Sequence, residues 1–306
     1  MRRGRHGAGD AGRAALLRSV PVTADGDLVE RLTAAGFVAA ADEAAELREA
    51  AAGDAGRLKR MVDRRLSGEP LAWITGRVEF CGLQIAVAPG VYVPRWHSEV
   101  LAERAVRHLP EWGVAVDICS GSGAIAAVLS ARRPRATVLA TDLDPHAVAC
   151  ARANGVDARL GDLFGGLPDD LRGILDLVIG VVPHVPSSEL RLLQRDTLAF
   201  ETPMAYDGGP DGMTVLRHAV ARASGWLRPG GALVLGLGGE QAAELALPGF
   251  EDALVLRDED GDVRGVQARR MARPAGAQAR SGRASDSANS SSSSVYQCSI
   301  ARPAER

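Results

Sequence analysis

The sequence predicts an α/β fold: a doubly wound, mostly parallel seven-stranded sheet preceded by a small helical N-terminal domain. Three observations predict it. From about Ser98 to Arg269, apolar runs of strand length alternate with helical patterns, an order that implies a parallel sheet covered by helices. The apolar run Val114 to Ile118 leads through a small-residue turn, Cys119 to Gly123, into an alanine-rich helical stretch from Ala124 to Ala131. Ahead of all this, Leu28, Leu32, Phe37, Ala44, Leu47, Leu58, Met61, Val62 and Leu66 recur at helical spacing among charged residues.

In chain order, the first 20 residues are rich in Gly, Arg and Ala and read as a flexible start. The helical pattern runs from about Asp27 to Leu66, and Gly53 and Gly56 break it into at least two helices. Val78 to Val93 carries β-branched and aromatic residues punctuated by Gly82, Pro89 and Gly90, which reads as a β-hairpin or linker. Strands are expected at Ala115–Ile118, Thr137–Thr141, Asp157–Leu160, Leu175–Ile179, Ala232–Leu237 and Leu254–Arg257, with Val263–Ala268 as a final hairpin partner. The end of the chain is rich in Ser, Ala, Gly and Arg, including Ser290 to Ser294, and has too little apolar surface to fold. The chain thus divides into a flexible N-terminus (1–20), a helical domain (21–77), a β-hairpin linker (78–97), an α/β domain (98–271) and a disordered tail (272–306).

Composition narrows the function classes. Apolar residues make up 46% of the 306, enough for a substantial core, and aromatics only 4%, so that core is built of Ala, Leu and Val. A net charge of -2 argues against nucleic-acid binding through bulk charge and leaves open a local basic patch. Cys81, Cys119, Cys150 and Cys298 are scattered with no C-x-x-C pair, so no zinc site or disulfide is expected and a reducing cytoplasm fits. No metal site is expected. No apolar run approaches the roughly 18 residues of a membrane span, and the arginines near the start are not followed by the apolar stretch of a secretory signal.

The turn after Val114–Ile118 points to a nucleoside. A second apolar run, Val138 to Ala140, ends at Thr141-Asp142. A glycine turn between a strand and a helix, with an acid after the next strand, makes a nucleoside-binding half-fold in which Asp142 accepts from ribose hydroxyls. Gly121-Ser122-Gly123-Ala124-Ile125-Ala126 also fits a dinucleotide fingerprint, so the glycines do not select the cofactor. Asp117 does. A pyrophosphate would meet an unwelcome negative charge there, whereas S-adenosylmethionine carries an ammonium and a sulfonium. Gly161-Asp162-Leu163-Phe164, after the third strand, can frame an adenine, with Asp162 on the exocyclic amine and Leu163 or Phe164 against the ring. The structural alternatives are that Asp142 caps the helix starting near Pro145 and that Asp162 caps a turn.

Four stretches then carry a resemblance: Gly68-Glu69-Pro70-Leu71-Ala72-Trp73-Ile74-Thr75-Gly76, Glu79-Phe80-Cys81-Gly82-Leu83, Val91-Tyr92-Val93-Pro94-Arg95, and Asp117 to Gly123. A fifth, Glu201-Thr202-Pro203-Met204-Ala205-Tyr206-Asp207-Gly208-Gly209-Pro210-Asp211-Gly212, is similar to an E-P-x-x-A-L-x-G-G-x-D-G segment, and Leu227-Arg228-Pro229-Gly230-Gly231 leads into the next strand. Over roughly residues 25 to 270 the chain resembles the HemK/PrmC-type protein-glutamine methyltransferases. The resemblance implies a Rossmann-like class I methyltransferase domain that uses S-adenosylmethionine and methylates the side-chain amide of a glutamine in peptide-chain release factors. It also implies that the helical domain holds the protein substrate. The cofactor positions it carries over are Asp117, Cys119, Gly121, Gly123, Asp142, Leu143, Asp162 and Leu163.

The family's active-site motif is N-P-P-Y after the fourth strand. An amide nitrogen is planar and a poor nucleophile, and an asparagine oxygen and a backbone carbonyl accept its N–H bonds so that catalysis is mainly positioning. Here the matching residues are Val181, Val182, Pro183 and His184. Val181 has no side-chain acceptor, and His184 replaces the tyrosine. His184 is expected to line the pocket, either as a flat filler or as a base toward a substrate with a proton to lose. Arg95 and Glu99 either contact substrate or form a structural ion pair. Trp73 is expected in the core, Cys119 to be inert, and Glu240 and Gln241 to start a helix. Three functions follow: methylation of a protein related to the family's glutamine substrates, methylation of a small molecule or nucleobase amine, or cofactor binding without catalysis.

Overall fold

The computed structural model describes residues 25–193 and 199–272. The expected flexible start and the tail from residue 273 lie outside the described residues.

The chain opens with four helices, α1 (Asp25–Ala34), α2 (Ala40–Ala51), α3 (Ala55–Leu66) and α4 (Leu71–Thr75). Their apolar stripes meet in a core of their own, with Leu28, Leu32, Leu47, Met61, Val62 and Ile74 buried together. The break between α2 and α3 falls at residues 52–54. Gly53 has positive φ, and the Asp54 carboxylate accepts from Arg57 N–H at 2.8 Å to start α3. Gly56 lies inside the first turn of α3 and breaks nothing.

The linker hairpin pairs β1 (Arg77–Phe80) with β2 (Leu83–Ala86) antiparallel. Its two-residue turn is Cys81-Gly82, both with positive φ, the backbone that the right-handed twist of a hairpin favours.

The large sheet contains β3 (Val114–Ile118), β4 (Thr137–Asp142), β5 (Asp157–Leu160), β6 (Leu175–Gly180), β7 (Leu227–Gly236), β8 (Phe250–Arg257) and β9 (Val263–Arg270) in the spatial order β5-β4-β3-β6-β7-β9-β8. The first five are parallel to their neighbours; β9 pairs antiparallel with both β7 and β8. The covering helices include α5 (Glu99–His108), α6 (Ala124–Arg132), α7 (Pro145–Ala153) and α8 (Thr214–Trp226). Cover on both faces explains why β3 and β6 are apolar nearly throughout rather than alternating.

Two strands begin earlier than their apolar patterns suggest. β7 takes in Leu227 to Gly231, hidden in sequence by Pro229 and two glycines, and a register irregularity lies opposite, between Leu175 and Leu177. β8 takes in Glu251 and Asp252, where a bulge and a positive φ at Asp252 interrupt the pairing on an exposed sheet edge. Charged residues there suit an edge and mask the strand.

Strand order reverses between β3 and β6. One arm of the sheet grows from β3 through β4 and β5, the other from β6 through β7, and a crevice forms beyond the carboxyl ends at that point. Ile118 and Gly180 face each other in register at its floor. The loops after β3, β4, β5 and β6 therefore open onto one place.

Candidate active site

A cavity of about 390 Å³ occupies the crevice. Of the eight positions expected to hold the cofactor, Asp117, Cys119, Gly121, Asp142, Leu143, Asp162 and Leu163 line it. Gly123 does not. A Cβ there would stand 2.8 Å from the Ala151 Cβ, so this glycine serves close packing of its turn against α7.

Asp117 is buried, and its Oδ2 accepts from Ala126 N–H at 3.2 Å. Burial pushes the carboxyl up to about 8, against the lowering effect of that bond, and the nearby Asp142 pushes it further up. No cation among the described residues pairs with it, so the site is set for a cationic ligand. The hydroxyls of Ser120 and Ser122, also on the cavity wall, are sealed without a partner. A buried acid with no cationic partner among the described residues fits a ligand with a positive end.

Asp142 accepts from Gly121 N–H through Oδ2 at 2.8 Å and from Asp144 N–H through Oδ1 at 2.9 Å. Its carboxylate thereby pins the glycine turn. The cap of α7 is Asp144, which accepts from His146 N–H at 2.8 Å, so Asp142 is not the helix cap. Asp162 pairs with Arg222 at 3.0 Å on an exposed edge. Leu163 is buried on the cavity wall at positive φ, whereas Phe164 lies in the core, stacked on Trp226 with centroids 5.6 Å apart. The aromatic option for framing an adenine is thus excluded. Burial also pushes the Cys119 thiol up, and it stays protonated, as an inert turn residue should.

The far wall of the cavity is Val181 to Val185, leaving the end of β6. Val181 packs toward Gly236 and the apolar core beneath, and Val182 is buried. The His184 ring turns back on its own loop, with Nδ1 2.7 Å from the Val182 carbonyl oxygen. Burial lowers the imidazole pKa, so the ring is neutral at pH 7.

Above this wall lies a cluster of polar and aromatic residues that the sequence reading did not assemble. Glu201 is buried and accepts from Val93 N–H at 2.9 Å, from Arg95 at 3.0 Å and from the Tyr206 hydroxyl. Tyr206 meets Tyr92 edge-on, centroids 5.5 Å apart, and Arg95, Tyr92 and Tyr206 all line the cavity. Arg95 therefore pairs with Glu201 and not with Glu99, whose carboxylate instead accepts from Cys81 N–H at 2.9 Å. The contacts of Glu201 with Val93 and Arg95 join residues more than 100 positions apart, and the only sequence signal was that both segments carry the family resemblance. Trp73 is buried, donating through Nε1 to the Val91 carbonyl at 2.9 Å. Glu240 and Gln241 start a short helix, α9 (Gly239–Glu244), as expected.

Comparison with known proteins places this geometry. The Methyltransferase small domain family matches residues 85–163. A release factor glutamine methyltransferase of Geobacter sulfurreducens is 37% identical over 219 residues, 68% of this chain and 76% of that protein. One from Moorella thermoacetica is 38% identical over 225 residues, 70% of this chain and 79% of that protein. The chain belongs to the release factor glutamine methyltransferase family. It is an S-adenosylmethionine-dependent methyltransferase with a Rossmann-like class I domain. Among solved structures, a T. thermophilus 16S rRNA N2 G1207 methyltransferase in complex with AdoMet and guanosine aligns with a TM-score of 0.45 at 21% identity, over 64% of this chain and 44% of that one. No helix among the described residues is long and apolar enough to cross a membrane, and no group of His, Cys, Asp and Glu among them could hold a metal.

Proposed function

We propose that this chain methylates the side-chain amide nitrogen of a glutamine in a peptide-chain release factor. The observation that carries the reading is a single cavity whose one wall is Asp117, Gly121 and Asp142 and whose other is Val181 to His184, so that cofactor and acceptor share one enclosed space. S-adenosylmethionine supplies an electrophilic methyl group on a sulfonium. Asp117 receives its ammonium, Asp142 its ribose hydroxyls, and Asp162 and Leu163 its adenine. Leu143 and Cys119 complete the wall. Pro183 and Val181 shape the acceptor side, and His184 closes it.

The N-terminal segment, helical over α1 to α4, holds the protein substrate in this reading. Support comes from a second cavity of about 340 Å³, walled by Glu46, Arg65 and Leu71 on one side and by Pro94, Arg95 and Glu201 on the other. It shares Pro94 and Arg95 with the first cavity, so a segment seated there would lie beside the acceptor pocket. Incubating the protein with labelled S-adenosylmethionine and purified release factors tests the proposal. Label on the release factor supports it; label only on nucleic acid or small metabolites sinks it.

One observation favours a different acceptor. Val181 presents only methyl groups where the family motif has an amide, and this suits a small molecule or an amine that needs less orientation. The same labelling applied to a whole extract separates the two.

A further inference from the structure

We propose that His184 orients the methyl acceptor in this chain, its Nε2 lone pair accepting an N–H of the substrate amide. The inference rests on the release-factor reading above and assigns to His184 the part that an asparagine side chain plays in the family motif.

The ring is fixed at one end. Nδ1 lies 2.7 Å from the Val182 carbonyl oxygen, and a carbonyl only accepts, so Nδ1 carries the proton and Nε2 keeps a lone pair. No described residue bonds Nε2, and this nitrogen is not sealed from solvent. His184 lines the cavity.

The backbone under the ring is fixed as well. Gln241 Nε2–H donates to the His184 carbonyl at 2.6 Å. Gly208 and Gly212 press against the same residue, since a Cβ on either would stand 2.7 Å from His184 Cα or 2.5 Å from its carbonyl oxygen.

Three backbone acceptors of the loop are already engaged. The Val182 carbonyl receives the ring, the His184 carbonyl receives Gln241, and the Val185 carbonyl receives Gly208 N–H at 2.9 Å. Among the side chains of 181–186, His184 alone carries a polar atom. An amide nitrogen must have its N–H bonds held to present its face for attack, and Nε2 is where this loop can hold one. The nitrogen forms its bond to the methyl carbon, the carbon–sulfur electron pair stays with sulfur, and one N–H proton leaves along the bond to Nε2.

Nε2 must be unprotonated to accept. Burial keeps the ring neutral, and no charged group offsets that. The segments packed on the loop bring Tyr206, Asp207, Asp211 and Glu240. Tyr206 is held by Glu201, Asp207 by Ser187 and Gly209 N–H, and Asp211 by Arg217 and Met213 N–H.

The test compares wild type, His184→Phe and His184→Gln, each with labelled S-adenosylmethionine, on purified release factors and on total protein extract across pH. His184→Phe keeps a flat side chain and is expected to lower kcat by about 100-fold, the scale of one lost oriented bond to a reacting group. Its cofactor affinity by calorimetry stays that of wild type, which shows the fold intact. His184→Gln restores an acceptor, recovers most of the rate and removes the acid limb of the wild-type kcat profile at saturating S-adenosylmethionine, where the effect of Asp117 on cofactor binding does not enter. Wild-type turnover by His184→Phe, or an acid limb that persists in His184→Gln, overturns the assignment and leaves the release-factor reading standing. Label found on another protein, and lost in His184→Phe, overturns the release-factor reading and upholds His184. No label on any protein overturns both.

Discussion

The side-chain amide of Gln241 bridges two segments that meet over the acceptor pocket. It donates to the His184 carbonyl at 2.6 Å and to the Gly212 carbonyl at 3.3 Å, while its own oxygen accepts from Gly238 N–H at 3.1 Å. A residue at the start of a short helix thus locks the backbone of the loop that carries His184.

Gln241→Ala is expected to free that loop. Removing bonds of this kind costs about 1 kcal/mol of stability, measurable as a shift in the urea midpoint. Turnover should fall about tenfold from misplacement of His184, while the affinity for S-adenosylmethionine stays the same. Equal losses in turnover and cofactor affinity would show that the bridge supports the whole cleft and not the acceptor loop.

Asp117 predicts a pH dependence. In the ligand-free protein its carboxyl is pushed up to about 8 from an ordinary value of 3.8. Between these values the native state binds a proton that the unfolded chain has lost, so its contribution to stability falls as pH rises through the window. Asp117→Asn should remove that slope from thermal melts. A cationic ligand favours the ionised carboxylate, so cofactor binding should tighten as pH rises toward 8 and release a proton. Calorimetry in buffers of different ionisation enthalpy reads this directly, and a proton count unchanged in Asp117→Asn would rule Asp117 out as its source.

Glu201 ties the linker to the cavity wall that carries Tyr206. Its carboxylate takes three donors from Val93, Arg95 and Tyr206, and its side chain is wholly buried. Glu201→Ala leaves all three without their acceptor and should cost about 2–3 kcal/mol, seen in chemical denaturation. The rate should drop more than the cofactor affinity, because Arg95, Tyr92 and Tyr206 lie on the cavity wall. A stability matching wild type would mean that water replaces the carboxylate without loss.

Val181→Asn returns an acceptor to the position the family motif uses. It sets an amide against the apolar core near Gly236 and should cost about 1–3 kcal/mol. If the acceptor is a glutamine amide, kcat on the release factor should rise about tenfold. A variant that is folded, binds cofactor and shows no gain would argue for an acceptor other than a primary amide.

Much of this was legible along the chain. Asp157–Leu160 was bounded to the residue, and β3, β4 and β6 to within one; for β3 and β6 the reason is that strands buried on both faces are nearly continuous apolar runs. The starts of β7 and β8 were not, because Pro229, the glycines and the acids Glu251 and Asp252 hide strand character that register and edge position supply. That Asp117 and Asp142 stand on one cavity wall was legible because a short motif carries them. The packing of Gly123 against Ala151 was not legible, because its neighbour across the turn is set by helix packing.

The sequence by itself determined the fold class, the methyl-donor chemistry and the loss of the asparagine at Val181. The first follows from residue types at local spacing, the second from that spacing together with the family resemblance, and the third from the resemblance alone. The tertiary structure decided which partner each polar group takes: Arg95 with Glu201, Gln241 with His184, and the His184 ring with Val182. Those choices depend on distances between segments far apart in the chain, or, for His184, on how its ring turns in a packed loop. Local pattern does not encode either one.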